Sequence, residues 1–74
     1  MNGTIVVVCN IQGQMIDLQI PQDIQISTLM DVLWDQLHLS QKKDFIRCEN
    51  PIAMMMGDLT VADYRLHNGS ILYL

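Results

Sequence analysis

Thr60-Val61-Ala62-Asp63-Tyr64-Arg65-Leu66-His67-Asn68-Gly69-Ser70-Ile71-Leu72-Tyr73-Leu74 closes the chain, and its reading decides the fold. Thr60-x-x-Asp63 is a variant capping box: Thr60 caps one helical turn and Asp63 stands at its third position. His67-Asn68-Gly69 follows as a turn, because Asn and Gly tolerate a positive φ. Residues 70–74 then alternate as a strand, with Leu72 and Leu74 on one face and Ile71 and Tyr73 on the other.

Outward from this stretch, the N-terminal residues 4–10, Thr-Ile-Val-Val-Val-Cys-Asn, are rich in β-branched side chains and predict a strand. Ile11-Gln12-Gly13-Gln14 supplies a turn. Residues 15–20 alternate, with Ile16, Leu18 and Ile20 on one face and Met15, Asp17 and Gln19 on the other. The two strands make a hairpin, and Pro21 ends the second because it cannot donate to a ladder. The period then changes. Ile26, Leu29, Met30, Leu33, Trp34 and Leu37 fall on one helical stripe, which predicts a helix over about residues 26–38. Asp31 is assigned to its first turns, where it suits the dipole.

Gln41-Lys42-Lys43-Asp44 reads as a polar loop. Residues 45–49 read as a third strand, with Ile46 and Cys48 on one face and Phe45, Arg47 and Glu49 on the other. Asn50-Pro51 is a turn signal. Met54-Met55-Met56 forms a short fourth strand ending at Gly57, with Met55 inward. The expected order is β-β-α-β-β-turn-β. A single apolar helix stripe must cover one sheet face, which makes a two-layer α+β domain.

With 74 residues the chain is one domain, 1–74. A chain this short buries only about 60% of the surface its unfolded form exposes, so every patterned apolar position serves one small core. Half the residues are hydrophobic and 16% are charged, a globular composition. Eight Asp+Glu face four Lys+Arg, for a net charge of -4. Lys42, Lys43, Arg47 and Arg65 are too few to track a phosphate backbone, which argues against nucleic acid and anionic lipid as partners. The apolar run Ile5 to Cys9 is too short for a signal peptide or a membrane span. Cys9 and Cys48 stand apart without a C-x-x-C and read as small hydrophobes in a reducing compartment. These features place the protein in the cytoplasm.

The element order resembles the β-grasp, or ubiquitin-like, fold, with a mixed sheet of four to five strands on one helix. Thr60-Val61-Ala62-Asp63-Tyr64 is similar to ubiquitin's Thr-Leu-Ser-Asp-Tyr, and Ile26-x-x-Leu29 to its Ile-x-x-Val helix start. Within that superfamily the chain looks most like the small bacterial YukD/EsaB-type proteins of type VII secretion systems. Its length, Trp34, Phe45-Ile46-Arg47, and Asn68-Gly69 followed by Leu72 and an immediate end carry that likeness. The resemblance implies a cytosolic accessory or regulatory protein that binds a component of a machine exporting WxG-type substrates. It implies no conjugation and supplies no catalytic residue.

Two other readings stand beside it. A carrier for sulfur transfer or conjugation would need a flexible tail ending in Gly-Gly, whereas Leu74 is still inside the strand pattern. An adaptor related to other ubiquitin-like signalling folds is the second. Ubiquitin's partner patch centres on an exposed isoleucine, and a gapless count back from Asp63-Tyr64 puts Glu49 there.

No Ser/His/Asp or Cys/His set, carboxylate pair or Gly-rich loop suggests catalysis or a cofactor, so the protein is expected not to be an enzyme. His38 and His67 lack a second ligand at metal spacing, and His38 is explained by a helix C-terminus. Tyr64 and Trp34 are read as packing residues, with the Tyr64 hydroxyl bonding a backbone group in the preceding loop. The first strand is apolar on both faces, so its pattern alone leaves its parity open. With Val6 and Val8 toward the helix, Ile5, Val7 and Cys9 face outward. Ile5, Val7, Phe45, Ile71 and Tyr73 then form an exposed patch that binds a partner protein or a second copy of the chain.

Overall fold

The computed structural model describes residues 3–39 and 43–74. The expected polar loop falls partly outside them, at Gln41 and Lys42. The chain begins with β1 (Thr4–Ile11) and β2 (Gln14–Pro21), followed by α1 (Ile26–Gln36). Three short strands complete it: β3 (Ile46–Glu49), β4 (Ala53–Met55) and β5 (Ile71–Tyr73). They build one five-stranded mixed sheet in the order β2-β1-β5-β3-β4, with β1 and β5 parallel at its centre. This is the β-grasp arrangement expected from the element order.

Gln12 and Gly13 form the two-residue turn of the hairpin, both with positive φ (52° and 89°). Such a turn matches the twist of the strands it joins. Asn10 Oδ1 accepts a bond from Gly13 N at 3.0 Å, which braces the loop. The tight turn pairs Ile11 with Gln14 and sets every later pair, including Cys9 with Ile16, Val7 with Leu18 and Ile5 with Ile20.

The N-cap residue of α1, Gln25, makes no side-chain cap. Carbonyls from a distant loop do that work: Ile26 N donates to Leu59 O and Ser27 N to Gly57 O, each at 2.9 Å. Val61 N and Ala62 N return bonds to Ile24 O and Gln22 O. The helix start is therefore satisfied by tertiary contact. Asp31 lies beyond the first turn, which holds no acidic residue, so the expected dipole role for it does not apply.

The helix ends at Gln36, two residues earlier than expected. His38 adopts a left-handed φ of 53°, and Leu39 N reaches back to Trp34 O at 3.2 Å. That is the six-to-one bond of a Schellman motif, so His38 serves as its left-handed C′ residue rather than as a dipole partner.

Ile26, Leu29, Met30, Leu33 and Trp34 are the buried stripe of α1. They meet Ile5, Val7, Cys9, Ile46, Cys48, Met55 and Leu72 from the sheet, with Val61 and Leu66 closing one end. Trp34 and Met55 thus take the core places expected of them. The reciprocal capping box is formed: Thr60 N donates to Asp63 Oδ2 at 2.9 Å and Asp63 N to Thr60 Oγ1 at 3.1 Å. Tyr64 also packs on the core, and its hydroxyl bridges Met56 N and Met56 O at 3.3 Å each.

Candidate functional site

With one sheet face covered by α1, the opposite face is open, and β1 and β5 run through its middle. Two expected members of the patch lie elsewhere. Ile5 (5% exposed) and Val7 (0%) are in the core, as is Cys9, while Val6 is 44% exposed. The physical cause is register. Residues directly opposite in an antiparallel pair share a face. Ile20, Leu18 and Ile16 oppose Ile5, Val7 and Cys9, so the apolar face of β2 carries the odd positions of β1 inward.

The other three residues of the expected patch are half-buried: Phe45 just before β3, and Ile71 and Tyr73 on β5. None of them, nor Val8, is among the half-buried residues that pack on the core. The ladders arrange the open face in rows. Tyr73 stands between Asn10 and Arg47, with Met15 and Met54 beyond them. Ile71 stands between Val8 and Glu49, with Asp17 beyond Val8. Met15 and Met54 are each 55% exposed. The centre of the face is therefore Val6, Val8, Ile71 and Tyr73, with one cation and one anion on β3 beside it.

These groups interact. The Arg47 guanidinium lies over the Tyr73 ring, and the Glu49 carboxylate acts on the Tyr73 hydroxyl. Glu49 as an acceptor for the hydroxyl proton is the main reason the Tyr73 phenol titrates above its ordinary range; desolvation and the Glu49 charge add to it, and Arg47 opposes it. Glu49 is exposed on this face, at the end of β3.

Sequence reasoning passed over Ser70, a buried polar residue beneath the turn. Its Oγ donates to Asn50 O at 2.6 Å and accepts from His67 N at 3.0 Å. Asn68 Oδ1 accepts from Val6 N at 2.9 Å, and Gly69, at φ 92°, donates to Val6 O at 3.0 Å. The Asn68-Gly69 turn is thus tied to β1, and Ser70 ties the start of β5 to the turn before β4. These bonds fix the flank of the open face.

Cys9 and Cys48 are free and buried. Both pair with Leu72, one from each side, so two strand spacings separate them. That is roughly 9.5 Å, beyond disulfide reach. Burial raises both thiols, Cys9 to about 11. The Cys48 thiol donates to Pro51 O at 3.1 Å. Among the described residues no three His, Cys, Asp or Glu side chains gather in a metal-binding group, and no helix is long and apolar enough to cross a membrane.

No protein-family model matches the chain, and no curated protein matches it in sequence. Solved structures do. The fold is similar to a de novo design based on ubiquitin, with a TM-score of 0.74 and 16% identity over 96% of this chain and 85% of that one. It is also similar to the C-terminal ubiquitin-like domain of mouse tubulin-specific chaperone e. There the TM-score is 0.79 and the identity 15%, over 97% of this chain and 84% of that one. At such identities the likeness is one of fold: the chain is a ubiquitin-like β-grasp domain.

Proposed function

We propose that this domain is a non-catalytic protein-binding module, a cytoplasmic accessory factor of a type VII secretion system. It docks through its open sheet face onto a protein component of the machine. One observation carries the binding reading: Val6, Val8, Ile71 and Tyr73 lie together on the two central strands, outside the core, with Arg47 and Glu49 beside them on β3. An apolar centre with a polar rim is the usual composition of a docking surface. The residue-level resemblance of Trp34, Phe45-Ile46-Arg47 and Asn68-Gly69 supports the choice of machine.

The test is affinity capture from a lysate of the source cell, using the wild type, Val8→Lys and Ile71→Lys. The expected result is recovery of an FtsK/SpoIIIE-type ATPase or a WxG-type substrate by the wild type and its loss with both variants, each still folded by circular dichroism. Recovery of the same proteins by wild type and variants alike would overturn the open-face reading. Capture that depends on Val8 and Ile71 but brings in neither protein would overturn the secretion assignment and keep the binding face.

A further inference from the structure

An asparagine side chain can react with its own backbone: the next nitrogen attacks the side-chain amide carbon. A following glycine, with no Cβ, leaves that approach open. Of the four asparagines, Asn10 precedes β-branched Ile11, and Asn50 precedes Pro51, which has no N–H to lose. Asn68 precedes Gly69, as Asn2, outside the described residues, precedes Gly3.

Asn68 and Gly69 are exposed in the turn that leads into β5, so water reaches both. Exposure alone would leave the pair reactive, but hydrogen bonds hold it. Gly69 N, the attacking atom, donates to Val6 O at 3.0 Å. Asn68 Oδ1, on the carbon that would be attacked, accepts from Val6 N at 2.9 Å. The carbonyl oxygen of the same Asn68–Gly69 peptide lies 2.9 Å from His67 Nδ1, a hydrogen bond when that nitrogen carries the proton. The peptide is therefore tied at both ends, and its side chain is tied to the same residue of β1.

These ties continue the central ladder. Val8 N donates to Ser70 O at 2.8 Å, and Val8 pairs with Ile71. One step earlier, the Asn68 side chain stands in for a backbone carbonyl and receives Val6 N. Attack on that side chain requires Gly69 N to leave Val6 O and turn toward Cγ.

We propose that Asn68 is a self-modification site, which pairing of the turn with β1 keeps closed and which reacts once that pairing opens. Gly69 N forms a bond to Asn68 Cγ and gives its proton to water, and the side-chain nitrogen leaves as ammonia. The product is a cyclic imide. Water then adds to one of its two carbonyls, and the ring C–N bond at that carbonyl breaks. Opening at the side-chain carbonyl gives an aspartate at position 68. Opening at the main-chain carbonyl gives an isoaspartate, whose main chain runs through the former side-chain carbon. Nothing is oxidised or reduced.

The two products differ at Val6. An aspartate keeps an acceptor for Val6 N. An isoaspartate lengthens the main chain by one carbon, so the turn no longer matches both Val6 groups and β5 begins out of step. Either product adds one negative charge to the present net charge of -4. A copy that has opened is thereby marked, and its isoaspartyl form closes less well. This inference does not rest on the docking reading.

The test incubates the full chain at one pH and temperature, with and without denaturing urea. Peptide mapping by mass spectrometry reads conversion at Asn68 and keeps it apart from Asn2. Exchange of the Gly69 amide is followed by NMR in native buffer and in sub-denaturing urea. Conversion in native buffer should be slower than in denaturing urea by about a hundredfold or more, and should rise with urea in step with Gly69 exchange. Gly69→Ala, compared in denaturing urea where folding does not matter, should convert several-fold more slowly. Asn68→Asp should unfold at a urea midpoint close to the wild type's, and the isoaspartyl fraction at a lower one. Equal conversion with and without urea, no conversion in urea, or native conversion out of step with Gly69 exchange would overturn the proposal. So would equal rates for Gly69→Ala and the wild type in urea, or an isoaspartyl fraction with the wild-type midpoint.

Discussion

The Arg47 guanidinium lies 4.5 Å from the centroid of the Tyr73 ring, directly across the β3–β5 ladder. Glu49 favours the protonated form of the same tyrosine's hydroxyl and so raises its titration. Replacing Glu49 with Gln should bring the Tyr73 titration down toward the ordinary phenol value, and replacing Arg47 with Gln should move it further up. Phenolate absorbance against pH, with Tyr73→Phe to separate it from Tyr64, reads both shifts. Since the folded phenol titrates above the unfolded one, the stability it contributes is complete below the unfolded value. It is lost as pH rises through the folded one.

The Thr60–Asp63 capping box acts at the other end of the pH scale. Two bonds from Thr60, the backbone one first, hold the Asp63 carboxyl below its ordinary range. Its contribution is present above the unfolded carboxyl value and lost as pH falls through the depressed folded one. Asp63→Asn should flatten the acid limb of a melting-temperature profile. Thr60→Ala should cost about 1 kcal/mol, a fall in Tm of roughly 4–8 °C for a domain this size.

The parity of β1 has a direct test. Val7 is fully buried and Val8 half-buried on the open face. Val7→Lys should abolish the cooperative unfolding transition, because it places a charge in the core. Val8→Lys should leave a folded domain with a transition close to the wild type's. Urea titration followed by Trp34 fluorescence distinguishes them.

Ser70→Ala should destabilise the domain by about 1–3 kcal/mol, because it strips partners from Asn50 O and His67 N at a buried position. The urea midpoint should fall with the slope of the transition unchanged.

Cys9 and Cys48 should resist alkylation in the native state at neutral pH and react fully in denaturant. Burial keeps them as thiols, with Cys9 raised to about 11, and the thiolate is the reactive form. Because the folded thiol titrates above the unfolded one, its contribution to stability is complete below the ordinary thiol range. That contribution is lost as pH rises toward 11. Rapid native labelling of Cys9 at neutral pH would contradict its place beside Leu72.

The parity of β1 was more legible than its composition suggests. Read alone, Ile5 to Cys9 is apolar at every position and says nothing about direction. The neighbouring strand alternates, and Gln12-Gly13 is a natural two-residue turn. Joining those two facts pairs Ile5 with Ile20 and Val7 with Leu18, which places the odd residues inside. The signal lay in the pairing and not in either strand. By contrast, nothing local identifies Ser70 as buried or Val32 as exposed. Ser70 is enclosed because β5 is central, and Val32 is left bare because β2 is the last strand on its side.

What the sequence by itself determined was local: the alternation of β2, the helical stripe from Ile26 to Leu37, the Thr60–Asp63 box and the Asn68-Gly69 turn. Each follows from side-chain period or from backbone freedom over a few residues, and together they suffice for the β-grasp order. The tertiary structure alone decided which apolar residues remain outside the core. A residue such as Ile71 or Val32 stays outside the core only through what the rest of the chain fails to cover. That depends on strand order and register, which bring together residues as distant in sequence as Val8 and Ile71.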